Sequence, residues 1–210
     1  MLPQIIQCSS FQLRPWRIAD KPALLRYAND RVVWRNMSGN FPYPFTDADA
    51  DQLLAVAAGQ TPPEGIYAIE ADREAVGMLS IVRGRHIECC FAEIGYWLGE
   101  AHRGRGIATE AVGRVVEMAL AEPNLVRVAA PVAAWNTPSM RVLERNGFVR
   151  EAVLRRAGYK DGTLFDRVIY ARIRESADPY VAALECGPTH DMGESRRGQP
   201  PASRSVGSAT

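Results

Sequence analysis

The decapeptide HRGRGIATEA, His102 to Ala111, sets two arginines and two glycines directly ahead of a helix-forming run. A glycine-rich turn entering a helix leaves main-chain N–H groups without acceptors, and the helix start is electropositive, so an anion is the natural guest. Three loop designs compete. The phosphate loop GxxxxGK[ST] needs a lysine beside its second glycine, and none is present. The dinucleotide fingerprint GxGxxG puts Thr109 where a third small residue belongs, and no acidic residue ends a second parallel strand about 20 residues on. The pattern [Q/R]-x-x-G-x-[G/A] is met at every specified position by Arg103-Gly104-Arg105-Gly106-Ile107-Ala108.

The flanking pattern places that loop between a strand and a helix. AEIGYWLG (92–99) reads as a strand, and Thr109–Ala121 carries the apolar spacing of a packed helix. Upstream, 11–20 reads as a strand running into an N-cap at Asp20, with Pro22 in the first turn of a helix to about Asn29. VVWRNM adds a short helical turn. FPYPFT, with two prolines among aromatics, reads as an irregular loop. Thr46 and Asp49 imitate a capping box for a helix to about Gly59. Strands at 66–70 and 75–83 flank a turn at 72–74. Downstream, 126–135 is a buried strand whose Pro131 demands an edge, a bulge or a strand end. A helix follows between Pro138 and Gly147, and strands near 148–158 and 164–173 flank an Asp161-Gly162 turn. The order of elements predicts one α+β domain over residues 1–175. The Gly-, Pro-, Ser- and Arg-rich residues 176–210 read as a disordered tail.

With 210 residues and a net charge of +1, the chain suits a single core and shows no bulk attraction to nucleic acid or acidic lipid. No apolar run approaches the roughly 18 residues of a membrane span, and the N-terminus lacks the layout of a secretory signal. The four cysteines contain no CxxC. Cys89 and Cys90 would point to opposite faces of a strand, which leads to the expectation of a cytoplasmic protein with reduced thiols. His86 and Cys89 make an H-x-x-C spacing with no second ligand pair, so no metal is expected.

Three stretches, EIGYWLGEAHRGRGIATEAV (93–112), NTPSMRVLERNGF (136–148) and RRAGYKDGTLFDRVIY (155–170), closely resemble the GCN5-related N-acetyltransferase (GNAT) superfamily, most of all its RimJ/RimL-like branch. The resemblance implies a three-layer αβα fold. Its mixed, mostly antiparallel central sheet is splayed between strands 4 and 5 and flanked by helices. It implies acetyl-CoA as co-substrate, with the pyrophosphate held at Arg103, Gly104, Arg105, Gly106, Ile107, Ala108 and Thr109. Pantetheine then runs beside Tyr96, Trp97 and Leu98, and Asn136 and Arg141 touch the coenzyme. Glu93 would be the base, acting through water, with Glu88 a weaker candidate. Asn136 and Ser139 would serve the departing thiolate, Ser139 as acid unless it is spent as a cap at the start of its helix, with Tyr159 and Tyr170 as alternatives.

The implied reaction is direct acetyl transfer in a ternary complex to a primary amine, foremost the α-amine of a protein's N-terminal alanine, of the ribosomal-protein-alanine type. The alternatives are a small-molecule amine (antibiotic, polyamine or amino acid) and a catalytically inactive coenzyme-binding sensor. Partners are limited to acetyl-CoA and the amine, with neither nucleic acid nor membrane, in a monomer or homodimer. Trp34 and residues 41–45 either line the acceptor pocket or pack under the N-terminal helices. His102 reads as exposed, and Trp97 and Trp135 as core.

Overall fold

The structure, a computed structural model, describes residues 5–37, 41–58 and 65–174; the tail expected at 176–210 lies outside them. Apolar alternation builds a hairpin of β3 (Gly65–Ala71) and β4 (Glu74–Arg83). At its tip Asp72 and Arg73 both take positive φ, 52° and 67°, the two-residue turn whose twist matches the strands. β2 (Gln12–Pro15) pairs on one side and β5 (Phe91–Leu98) on the other. β6 (Arg127–Ala133) then joins parallel to β5, and β8 (Thr163–Ile173) and β7 (Val149–Lys160) complete the sheet. A two-residue strand, β1 (Ile6–Gln7), is one that the sequence pattern did not disclose, as are short 3-10 segments at Ile18–Asp20, His86–Glu88 and Glu100–His102. The order is β1-β2-β3-β4-β5-β6-β8-β7, antiparallel except at β5–β6. Counting β1, the splay expected between strands 4 and 5 falls between β5 and β6.

Helices cover both faces. α4 (Ile107–Ala121) and α5 (Thr137–Arg145) lie on one, where Val112, Val115, Val116 and Leu143 pack against Leu79, Ile94 and Val128. α1 (Lys21–Ala28), α2 (Arg31–Asn36) and α3 (Asp47–Ala58) lie on the other, where Leu24, Val33, Ala50 and Leu54 meet Ala68, Met78 and Trp97. The fold is therefore the expected three-layer αβα arrangement. Thr46 and Asp49 form their capping box: the Thr46 N–H donates to Asp49 Oδ2 at 2.7 Å, and the Asp49 N–H to Thr46 Oγ1 at 3.4 Å. Phe41 and Phe45 stack at 5.2 Å and are buried beside Trp97, so this loop is packed under the helices. Cys89 and Cys90 sit in a turn after a short 3-10 segment rather than on a strand. Cys89 is disulfide-bonded, against the expectation of reduced thiols, whereas Cys8 and Cys90 are free.

Asp20 does not cap α1. Its carboxylate turns to Arg14, a β2 guanidinium only 2 % exposed, in two bonds of 2.7 and 2.8 Å. The Arg17 N–H donates to the same carboxylate, and Arg14 Nε reaches Glu70, which Gln12 also contacts. A buried cation explains why: two carboxylates satisfy it better than a helix start would use one. Burial raises the Asp20 and Glu70 pKa values, but the Arg14 hydrogen bonds outweigh it and hold both below the usual range. The stability they contribute is therefore complete above the unfolded pKa near 4 and is lost as pH falls through the lower folded values. Replacing Asp20 with Asn should cost about 3–5 kcal/mol at pH 7 by stranding Arg14. Urea unfolding should show that deficit narrowing at pH 3; a deficit unchanged between the two pH values would contradict the coupling.

Candidate active site

β5 and β6 stay paired only over Phe91–Glu93 and Arg127–Ala129. Beyond Glu93 they part, and the register decides which groups the gap leaves bare. On β5 the Gly99 N–H bonds Val76 O and the Gly84 N–H bonds Phe91 O, so odd-numbered residues face β4. The main-chain groups of Ile94, Tyr96 and Leu98 therefore face the gap. The N–H of Trp97 does not: it is directed at Met78, which removes it from the expected coenzyme donors although the residue lines the cleft. On β6 the Ala134 N–H bonds Asp166 O and the Arg174 N–H bonds Val126 O, so even-numbered residues face β8 and Pro131 faces the gap. Proline sits inside this sheet because the missing N–H lies where no strand follows.

The gap opens onto the glycine loop. Gly104 and Gly106 adopt φ of 74° and 82°, and no protein atom lies within 4 Å of an added Cβ at either, so conformation rather than crowding selects glycine. Gly106 is the N-cap of α4 and has no side chain to satisfy the first turn. Among the described residues, no acceptor meets the N–H groups of Gly104 to Thr109. The helix therefore points bare donors and its positive end into the gap, two residues earlier than the expected start at Thr109. Arg103 is engaged elsewhere. Its Nε donates to Leu98 O at 3.0 Å and its Nη2 pairs with Asp30, the residue whose carboxylate caps α2. Arg105 is half exposed, with Asp72 at 3.8 Å. His102, expected to be exposed, is 9 % exposed. Its ring meets Tyr27 edge-on at 5.7 Å, and Nδ1 lies 3.3 Å from Arg105 Nη1.

Across the gap, Asn136 caps α5, its Oδ1 accepting from the Ser139 N–H at 3.3 Å. Ser139 is thereby free of the capping duty that competed for it. Its hydroxyl instead lies 2.8 Å from the Tyr96 hydroxyl. Burial pushes the Tyr96 pKa up to about 12, so the phenol stays protonated. Sequence reasoning missed this pairing because it links residues 43 apart on two elements. Tyr159 is 70 % exposed, and Tyr170 is buried with its hydroxyl donating to Glu144 at 2.7 Å, which takes it out of contention as acid. Glu93 is exposed on the face opposite Tyr96 and has no partner among the described residues.

Glu93, Tyr96, Asn136, Ser139 and Tyr159 line one cleft of about 1580 Å³, as do Arg141, Glu88 and the loop residues Arg103, Gly104 and Gly106 to Thr109, whereas Arg105 is not among the lining residues. Its far end is walled by α2 and by Trp135, which is not core: Trp135 Nε1 donates to Asn36 Oδ1 at 3.0 Å and its ring meets Phe165 at 4.5 Å. Trp34, Phe41, Tyr43 and Phe45 are not among the lining residues, and Trp34, Phe41 and Phe45 pack under the N-terminal helices, the second of the two readings.

The family model of the acetyltransferase (GNAT) domain matches residues 11–149. The chain belongs to this family. The probable N-acetyltransferase YjcK of Bacillus subtilis is 40% identical over 109 residues, 51% of this chain and 59% of that protein. The ribosomal-protein-serine acetyltransferase of Escherichia coli is 31% identical over 148 residues, 69% of this chain and 82% of that protein. Mycobacterium smegmatis RimJ, solved in complex with CoA-disulfide, superposes with a TM-score of 0.68 at 29% identity, over 79% of this chain and 82% of its own. The GNAT chain is thus an N-acetyltransferase of the RimJ/RimL-like branch. Among its described residues, no helix is long and apolar enough to cross a membrane.

A β-branched residue at Gly106 meets the cost of a left-handed backbone, about 1–2 kcal/mol. Gly106→Val should weaken coenzyme A binding by roughly 5- to 30-fold or more in titration calorimetry. An unchanged Kd would separate the loop from the coenzyme.

Proposed function

We propose that this GNAT enzyme transfers the acetyl group of acetyl-CoA to the α-amine of a protein N-terminus by direct attack in a ternary complex. The observation that carries the reading is the continuity of the cleft: unanswered donors at 104–109, an unpaired strand edge at Tyr96 and Leu98, and a carboxylate at Glu93. The diphosphate lies on the loop donors and pantetheine runs along the β5 edge as an added strand. The thioester oxygen takes one of the β5 N–H groups, a donor held in place before charge develops.

The amine nitrogen attacks the thioester carbon, the C–S bond breaks, and coenzyme A leaves as thiolate. Magnitudes decide how protons move. An α-amine with pKa near 8 loses its proton at pH 7 for about 1.4 kcal/mol, whereas a lysine near 10.4 needs roughly 4.6. A solvent-exposed Glu93 working through water suits the first acceptor and not the second. On the leaving side, Tyr96 at about 12 stands some 3.5 units above a thiol near 8.5. Handing its proton fully to the thiolate would cost about 5 kcal/mol. The Ser139–Tyr96 pair therefore acts as a hydrogen-bond donor to the departing sulfur, while the thiol proton derives from the attacking nitrogen through solvent. The likeness to the ribosomal-protein-serine acetyltransferase of Escherichia coli supports a protein acceptor.

With an alanine-initiated peptide, Glu93→Gln should lower kcat by about 100-fold or more. The deficit should shrink above pH 8, where the amine is already neutral. Ser139→Ala and Tyr96→Phe should each lower kcat roughly 10- to 100-fold with the KM for acetyl-CoA little changed, the loss of a hydrogen bond to a charged atom. Because the two hydroxyls work as one unit, the double variant should be no slower than the slower single; multiplying defects would refute the pairing. If no amine in a panel of N-terminal peptides and small amines releases thiol from acetyl-CoA while coenzyme A binds, the reading fails in favour of a sensor.

A further inference from the structure

The cleft treats its arginines in two ways. Arg103 is matched by Asp30, and Arg127 by Glu151 at 2.7 Å, so the chain supplies carboxylates to the guanidinia it uses for structure. Arg35, Arg83, Arg141, Arg145 and Arg167 receive none among the described residues, and of these five Arg35 and Arg167 stand at the far end, where Trp135 forms the wall. The Arg35 guanidinium stands over the Trp135 ring, 4.4 Å from its centroid, which holds it at the far wall without consuming its donors. Arg167 is half-buried, where an unanswered charge is costly unless a partner arrives.

Register places these cations relative to the base. Glu93 lies beside Ala129 on β6, and Arg167 beside Ala133, all on the face that α2 covers. Four residues of strand, about 13 Å, and two inter-strand steps of about 4.8 Å separate their backbones, a span that the long side chains shorten. From it, resting on the reading of Glu93 as the group that meets the amine, we infer that the acceptor carries a carboxylate a few bonds from its reacting nitrogen, bound by Arg35 and Arg167. The amine is drawn to the carboxylate of Glu93 and the acid to the two guanidinia, so charge fixes the direction in which the acceptor enters. An N-terminal peptide with an acidic residue next to its first residue has this chemistry, as does a free amino acid.

The test is kcat/KM at saturating acetyl-CoA for three otherwise identical peptides beginning Ala-Asp, Ala-Asn and Ala-Lys, with free aspartate and asparagine as further acceptors. The Asp peptide should exceed the Asn peptide by about tenfold or more, with Lys poorest. Arg35→Gln and Arg167→Gln should each shrink the Asp-to-Asn ratio, and Arg167→Glu should lift the Lys peptide above the Asp peptide. A thermal transition measured on each variant reports its folding, and Arg35, exposed on a short helix, carries the test if an Arg167 variant unfolds. Three peptides used equally well by the wild type, or a ratio that survives in the Arg35→Gln/Arg167→Gln double variant, would overturn the inference. Discrimination of aspartate from asparagine with no peptide acetylated would uphold the carboxylate site and end the N-terminal peptide reading.

Discussion

The parting of β5 from β6 after three residue pairs is the constraint on which the site depends. A sheet interior normally answers every backbone donor, and leaving some unanswered is costly unless a ligand or solvent takes them. Here the pairing stops at Glu93 and Ala129, and strand alternation then assigns the bare groups: the Ile94 carbonyl, both main-chain groups of Tyr96 and the Leu98 N–H on one side, with Pro131 opposite them offering no donor at all. The result is a strand edge inside the molecule, protected from other chains by the layers around it and open to a ligand of strand-like form.

The loop at 103–106 is fastened to that edge rather than merely next to it. Arg103 takes the carbonyl of Leu98, so the end of β5 and the start of α4 keep a fixed relation, and its pairing with Asp30 extends the same connection to α2. The far wall of the cleft and the glycine loop thus share one arginine. His102 adds to this by burying its ring against Tyr27 of α1. Arg103, which reads in the sequence as a phosphate ligand, and His102, which reads as exposed, therefore both hold the scaffold, and the amides of the loop are left bare.

Local signals in the sequence were enough for the elements and for the loop. Glycines at positive φ, Pro22 and Pro138 in first turns, and the Asp161-Gly162 turn each state their conformation through their own backbone restrictions. What stayed hidden depends on contacts between distant segments. Asp20 reads as a cap until Arg14 is seen to be buried beside it, and the Ser139 hydroxyl reads as a cap until Asn136 takes that role and Tyr96 appears across the gap. Trp135 looks like core because burial cannot be read from an isolated tryptophan. It is the α2 side chains Arg35 and Asn36 that turn it into a cleft wall.

A crystal structure of the enzyme with bound acetyl-CoA tests the account most directly. The diphosphate should accept from main-chain N–H groups between Gly104 and Thr109. The pantetheine arm should bond the Tyr96 and Leu98 edge while the Trp97 N–H stays with Met78, and the sulfur should lie beside Ser139. A coenzyme bound outside the gap between β5 and β6, or a loop whose amides turn from the diphosphate, would contradict it.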